Sequence, residues 1–160
     1  MRIRALAIAF ALTAATPALA GPPWISIELP ANPFDRASRG AFLLVHTYHH
    51  GTAVSFPLRG SAEGIVNGER RSIPLTFEQT SRSGVYALRN QWGSGGVWTL
   101  VITLRQSDHS NDAAQALVEI GATGDVTSVR VPTRRHREYL IPTLTEMAAI
   151  EAGLRARAGG

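Results

Sequence analysis

The dipeptide Asn67-Gly68 sits between two short runs, 62–66 and 69–77. Asn-Gly favours a type I′ turn, because both central residues need positive φ, and that turn matches the twist of an antiparallel pair. A β-hairpin is therefore expected at this point. In its second arm Ile73, Leu75 and Phe77 alternate with Ser72, Pro74 and Thr76. Pro74 has no N–H to give to a ladder, so the arm belongs at a sheet edge or carries a bulge.

The period of two recurs along the chain. In 24–29, Ile25, Ile27 and Leu29 share a face, and the stretch from Pro30 to Pro33 ends the run. In 41–48 both faces are apolar at the start. Leu43 and Val45 fall with Thr47 and His49, while Phe42 and Leu44 fall with His46, Tyr48 and His50. A turn at Ser83-Gly84 leads into 85–88, with Tyr86 and Leu88 on one face. After Gly93-Ser94-Gly95-Gly96, the run 97–104 points Trp98, Leu100, Ile102 and Leu104 inward and Thr99 and Thr103 outward, which makes it the best core strand. A polar loop follows at 107–112, then a last hairpin of 116–120 and 126–131. Strands this short, with turns this frequent, predict an all-β sandwich of about seven or eight antiparallel strands over 21–131.

Beyond it, 132–142 reads as a linker. Thr143-Leu144-Thr145-Glu146 fits a capping box, and Leu144, Met147, Ile150 and Leu154 recur at helical spacing. The helix either packs on the sandwich or engages a partner, and packing is the commoner fate of a one-stripe helix.

Residues 1–20 have the features of a cleaved signal peptide. Arg2 and Arg4 precede an apolar run at 5–15, Pro17 follows, and Ala18-Leu19-Ala20 is a small-residue cleavage site before Gly21. The run is too short to span a bilayer, which needs about 20 apolar residues. The expected product is periplasmic or secreted, with no integral membrane segment once the leader is removed. That leaves 140 residues, one domain, and lowers the net charge from +4 to +2 as Arg2 and Arg4 depart. All 16 basic residues are arginine and none is lysine, which suggests a GC-rich bacterial source. The arginines are dispersed apart from Arg134, Arg135 and Arg137 beside His136, so no dense basic face for nucleic acid is expected. The absence of cysteine excludes disulfides, thiolate metal sites and a thiol nucleophile.

The pairing of Ser83-Gly84-Val85-Tyr86 with Gly96-Val97-Trp98-Thr99-Leu100-Val101, preceded by a Val66-Asn67-Gly68-Glu69 hairpin, resembles the YtkA-like and FixH-like periplasmic immunoglobulin-like domains. The resemblance covers about residues 24–106 and implies an immunoglobulin-like antiparallel β-sandwich, to which the short C-terminal α-helix read above is added, with Tyr86 and Trp98 as core or corner residues. Some relatives are associated with copper handling. Methionine-rich segments often seen in copper carriers are missing here, the chain holding Met1 and Met147.

Two surfaces could carry function. His46, Tyr48 and His50 share a strand face at about 7 Å intervals, and Gly51 could let His50 turn back. With His49, and with His109 from the 107–112 loop, they form a candidate copper site, since imidazoles suit Cu(II), Zn(II) and Ni(II). The simpler reading, which we favour, makes His46 a half-buried strand residue and His49-His50 the start of an exposed loop. The second surface is a protein-contact patch of Tyr48, His49, His50 and Phe56 at one end of the sandwich, joined by Trp24. No G-x-S-x-G elbow, H-E-x-x-H helix, phosphate loop or dinucleotide fingerprint occurs. The sequence reading is therefore a non-catalytic binding or accessory module of the cell envelope contacting a protein partner, with copper binding as the alternative.

Overall fold

The computed structural model describes residues 21–32, 34–107 and 112–159. The expected leader, 1–20, and His109 lie outside the described residues.

The described residues form two antiparallel sheets, a small separate hairpin, a single 3-10 turn at Arg36–Ser38 and one α-helix. The first sheet contains β1 (Trp24–Glu28), β2 (Leu43–His49), β7 (Val85–Leu88) and β6 (Glu78–Gln79) in the order β1-β2-β7-β6, with β3 (Thr52–Ala53) paired to the end of β2. The second contains β10 (Val126–Arg130), β9 (Ala113–Ile120), β8 (Val97–Arg105), β4 (Leu58–Val66) and β5 (Glu69–Pro74), in that order. The orders β1-β2-β7-β6 and β5-β4-β8-β9 are those of the A-B-E-D and C′-C-F-G sheets of an immunoglobulin sandwich, to which β10 adds a strand. More strands form than the sequence reading counted, because β3 and β6 are two-residue pairings too short to leave a periodic trace.

The hairpin at Asn67-Gly68 forms as expected: Val66 pairs with Glu69, and φ is 52° at Asn67 and 81° at Gly68. The β5 arm ends at Pro74 and lies at the edge of its sheet. Between the sheets, Ile25, Leu43, Val45, Tyr86 and Leu88 face Ala62, Trp98, Leu100, Ile102, Leu104, Ala114, Ala116, Val118 and Ile120. Tyr86 and Trp98 are core residues, with the Tyr86 hydroxyl donating to the Phe56 carbonyl at 2.8 Å and the Trp98 indole N–H to the Gly95 carbonyl at 2.9 Å. Gly64 lies across the ladder from Trp98, and a Cβ there would sit 2.3 Å from the indole ring, so the missing side chain is what admits the ring.

The stretch 132–142 is not a linker. It folds into β11 (Thr133–His136) and β12 (Tyr139–Pro142), turning at Arg137-Glu138 with φ 54° at Arg137. The capping box does not form either. The helix α1 (Met147–Ala158) starts after Glu146, which sits at the N-cap position in extended conformation without a side-chain cap bond. The Thr145 amide instead donates to the buried Gln115 side chain at 2.8 Å, which ties the entry segment to β9. Because of this later start, Leu144 and Met147 are exposed, and Ile150 and Leu154 alone of the four expected stripe residues are buried. They pack on the outer face of the second sheet against Val97, Val101 and Leu117, with Ile65 alongside. Among the described residues no helix is long and apolar enough to cross a membrane.

Polar groups frame this helix seat. Thr99, expected outward and solvated, is buried beneath α1 and bonded to the Arg157 guanidinium at 2.6 Å. Arg157 also reaches the Trp98 carbonyl at 3.3 Å and Glu119 at 3.2 Å. On the other flank the buried Glu63 carboxylate accepts from Ser61, from Ser72 at 2.9 Å and from Arg70 at 2.6 Å, and Arg70 lies 3.6 Å from Glu151 of the helix. Burial pushes the Glu63 carboxyl upward. The three hydrogen bonds and the Arg70 charge more than reverse this and hold it below the usual carboxylate value.

Two predictions follow from the packing. Gly64→Ala forces a methyl group into the Trp98 ring and should cost about 1–3 kcal/mol, read as a lower denaturant midpoint at unchanged m. Glu63 has its folded-state pKa below the unfolded value of about 4.5, so its contribution to stability is present above that value and is lost as pH falls through the folded one. Stability measured from pH 6 down to about 3 should therefore fall more steeply for the native chain than for Glu63→Gln.

Candidate functional site

The β2–β3 turn defines one end of the sandwich. His49 pairs with Thr52, leaving His50-Gly51 as a two-residue loop with φ of 50° and 75°. Both positive values match a type I′ turn, here with histidine in the position that asparagine fills at 67. The turn is pinned from below by Thr47, whose side chain is fully buried. The Thr47 hydroxyl donates to the Val54 carbonyl and lies 3.2 Å from the Gly84 carbonyl, and the Thr47 amide donates to Gly84 at 2.8 Å. Gly84, at φ 68°, approaches so closely that a Cβ would lie 2.8 Å from the Thr47 carbonyl oxygen. Ser55 accepts from the Gly84 amide at 3.2 Å and from the Gln79 amide group at 3.1 Å.

The candidate histidines separate into two groups. Strand alternation sends His46 and Tyr48 to the outer face of the first sheet and His49 to the core side. His46 Nε2 lies 2.8 Å from Glu28 Oε2, and its ring stacks on Tyr48 with centroids 6.4 Å apart and planes 7° from parallel. Trp24 pairs with Tyr48 across the β1–β2 ladder and is 39% exposed, so Trp24, Tyr48, His46 and Glu28 form a continuous outward row on the first two strands. Ser26 lies opposite His46 in the same ladder.

The second group gathers at the tip. The His49 and His50 rings have centroids 4.3 Å apart, and the Phe56 ring lies 5.7 Å from His49. Phe56 packs against the main core, His49 is half-buried and His50 is exposed. His49 Nε2 lies 3.1 Å from the carbonyl oxygen of Gly21. An open cleft of about 360 Å³ borders the same N-terminal segment, lined by Pro22, Asp112, Arg134, Ile141, Leu144 and Glu146. Among the described residues no three His, Asp or Glu side chains are grouped to hold an ion. Of the four candidate copper ligands, His46 lies against Glu28, His49 and His50 stay together, and His109 lies outside the described residues.

Sequence reasoning missed Glu28 and Gly21. The signal for Glu28 was available: Trp24, Ser26 and Glu28 alternate opposite the Ile25/Ile27 face, and antiparallel pairing of the first two strands sets that face beside His46. For Gly21 no side-chain signal exists, since its part is played by backbone.

Replacing Thr47 by Val keeps the volume and removes the hydroxyl. It should lower stability by about 1–3 kcal/mol and speed amide exchange across 49–56, whereas Thr47→Ser, which keeps the hydroxyl, should retain most of the protection.

Set against known proteins, the chain matches no family model, no curated protein and no solved structure.

Proposed function

We propose that this chain is an exported, non-catalytic binding module of the bacterial cell envelope that contacts a protein partner through the β1–β2 face and the His50-Gly51 end of its sandwich. The observation that carries this reading is the outward row of Trp24, Tyr48 and His46, continuous with the His49, His50 and Phe56 cluster. Trp and Tyr combine a broad apolar face with a polar handle, and such residues are over-represented where proteins meet. Gly21 to Trp24 lead straight into this face, so a leader removed after Ala20 would leave it unobstructed.

A second reading, binding of a copper ion, is favoured by the 4.3 Å approach of the His49 and His50 rings. Two adjacent imidazoles on a tight turn are half of a tetragonal Cu(II) donor set.

A photo-crosslinking amino acid placed at position 48 in cells should yield adducts of defined mass. The same group at Val129, exposed on β10, should not. Trp24→Ala should abolish the adducts while moving the unfolding midpoint by no more than about 0.5 kcal/mol equivalent. Equal labelling from both positions would reject the proposed face.

A further inference from the structure

We propose that the amino group released by cleavage between Ala20 and Gly21 completes a Cu(II) site with His49 and His50, the Gly21 carbonyl oxygen being the fourth donor. The inference rests on the signal-peptide and copper-binding readings above. The chemistry of its formation is hydrolysis: signal peptidase adds water across the Ala20–Gly21 amide, leaving a carboxylate on Ala20 and an ammonium on Gly21. The ammonium gives up its proton when the nitrogen takes the metal.

Four observations meet at this point. The first is distance. His49 Nε2 and the Gly21 carbonyl oxygen are 3.1 Å apart. The pair is hydrogen-bonded as it stands, which keeps an imidazole nitrogen beside the Gly21 backbone; an ion would replace that bond, with each donor about 2.0–2.2 Å from it. The second is the proximity of a further imidazole, His50, whose ring lies against His49 and whose exposure leaves it free to rotate. The third is the chain that follows Gly21. Pro22 and Pro23 have no N–H to deprotonate, so copper cannot extend its chelate along the backbone. Chelation by this terminus stops at the five-membered ring of the Gly21 amine and carbonyl, and two positions remain for imidazole. The fourth is placement. Pro23 is buried and Trp24 is paired with Tyr48, which holds Gly21 beside the turn, yet a Cβ at Gly21 would meet nothing within 4 Å. The terminus is anchored, and there is room around it.

The ion this donor set fits is Cu(II). Three nitrogens and one oxygen suit a tetragonal ion, and Cu(II) heads the divalent series for such ligands. No thioether takes part, which accords with Met147, on α1, being the methionine that remains once residues 1–20 are removed.

The decisive comparison is between two forms of the same chain: one that begins at Gly21 with a free amine, and one acetylated at that amine. Each is titrated with Cu(II) against a competing chelator and followed by electron paramagnetic resonance. The free-amine form should bind one equivalent with a tetragonal signal split by nitrogen. Acetylation, His49→Gln and His50→Gln should each weaken binding at least tenfold, since disturbing even an outer partner of a metal ligand costs about 10–100-fold. His136→Gln, on β11, should leave it unchanged. Acetylated protein that binds as tightly as the free-amine form overturns the site. The intact mass of the exported protein tests the other premise separately: a chain starting anywhere but Gly21 overturns the proposal through its leader, whatever the purified free-amine form does with copper.

Discussion

Strand β8 is buried on both faces, and the rest of the molecule is arranged to cover it twice. Trp98, Leu100, Ile102 and Leu104 face the first sheet, while Val97, Thr99 and Val101 face the other way and are equally withdrawn from water. In a parallel α/β fold, helices on both faces cover such a strand. Here the second cover is α1, which contributes only Ile150 and Leu154 as fully packed residues. So narrow an apolar contact leaves the margins of the seat to polar groups. Glu63 with Arg70 and Ser72 closes one side, and Thr99, Glu119 and Arg157 close the other. Arg157 is the more exacting of the two closures. Its Nε is buried without a partner while its other nitrogens are engaged, so the guanidinium is held in place at the cost of one unsatisfied donor.

The same need for cover explains the first sheet. Leu44, Val85 and Ala87 on its outer face form a small cluster with Ala31 and Ala41 of the connection that follows β1. That connection shields the end of the sheet near Leu44, where β2 is most apolar. Toward the other end β2 becomes His46, Thr47, Tyr48 and His49, and this cover gives way to the outward row that Trp24 and Tyr48 extend. The exposed aromatic row is thus where the β2 sequence turns from aliphatic to aromatic and polar.

How far the sequence foretold this differs by element. Period-two alternation located β1, β2, β5, β7 and β8, and Asn67-Gly68 placed one turn to the residue. The turn at His50-Gly51 was read only as a place where Gly51 lets His50 turn back, because His-Gly is outside the Asn-Gly, Asp-Gly and Gly-Gly set that signals a type I′ hairpin. The 133–142 hairpin was hidden by its composition: three arginines and a histidine around an Arg137-Glu138 turn have neither apolar alternation nor a glycine. The capping box failed because the Thr143 amide, which the Glu146 side chain would have to reach, donates to the Pro132 carbonyl at 2.9 Å, while Gln115, thirty residues away in the chain, holds the Thr145 amide, and no local rule sees such partners. Of the candidate site, the clustering of His49 and His50 was legible from adjacency, while the loss of His46 to Glu28 required the β1–β2 register.

That register also decides what the start of the chain can reach. Trp24 sits opposite Tyr48, so the residues before it run past the β2–β3 turn as a continuation of the ladder, and Gly21 arrives beside His49. A shift of one residue would send Ile25 and Ile27 outward and bury Trp24, Ser26 and Glu28, a change the core does not allow. The packing of Ile25 between the sheets therefore fixes the position of Gly21 as firmly as any local contact does. A core residue with no polar atom of its own sets the distance between a backbone carbonyl and an imidazole nitrogen, and through it the chemistry open to this end of the sandwich.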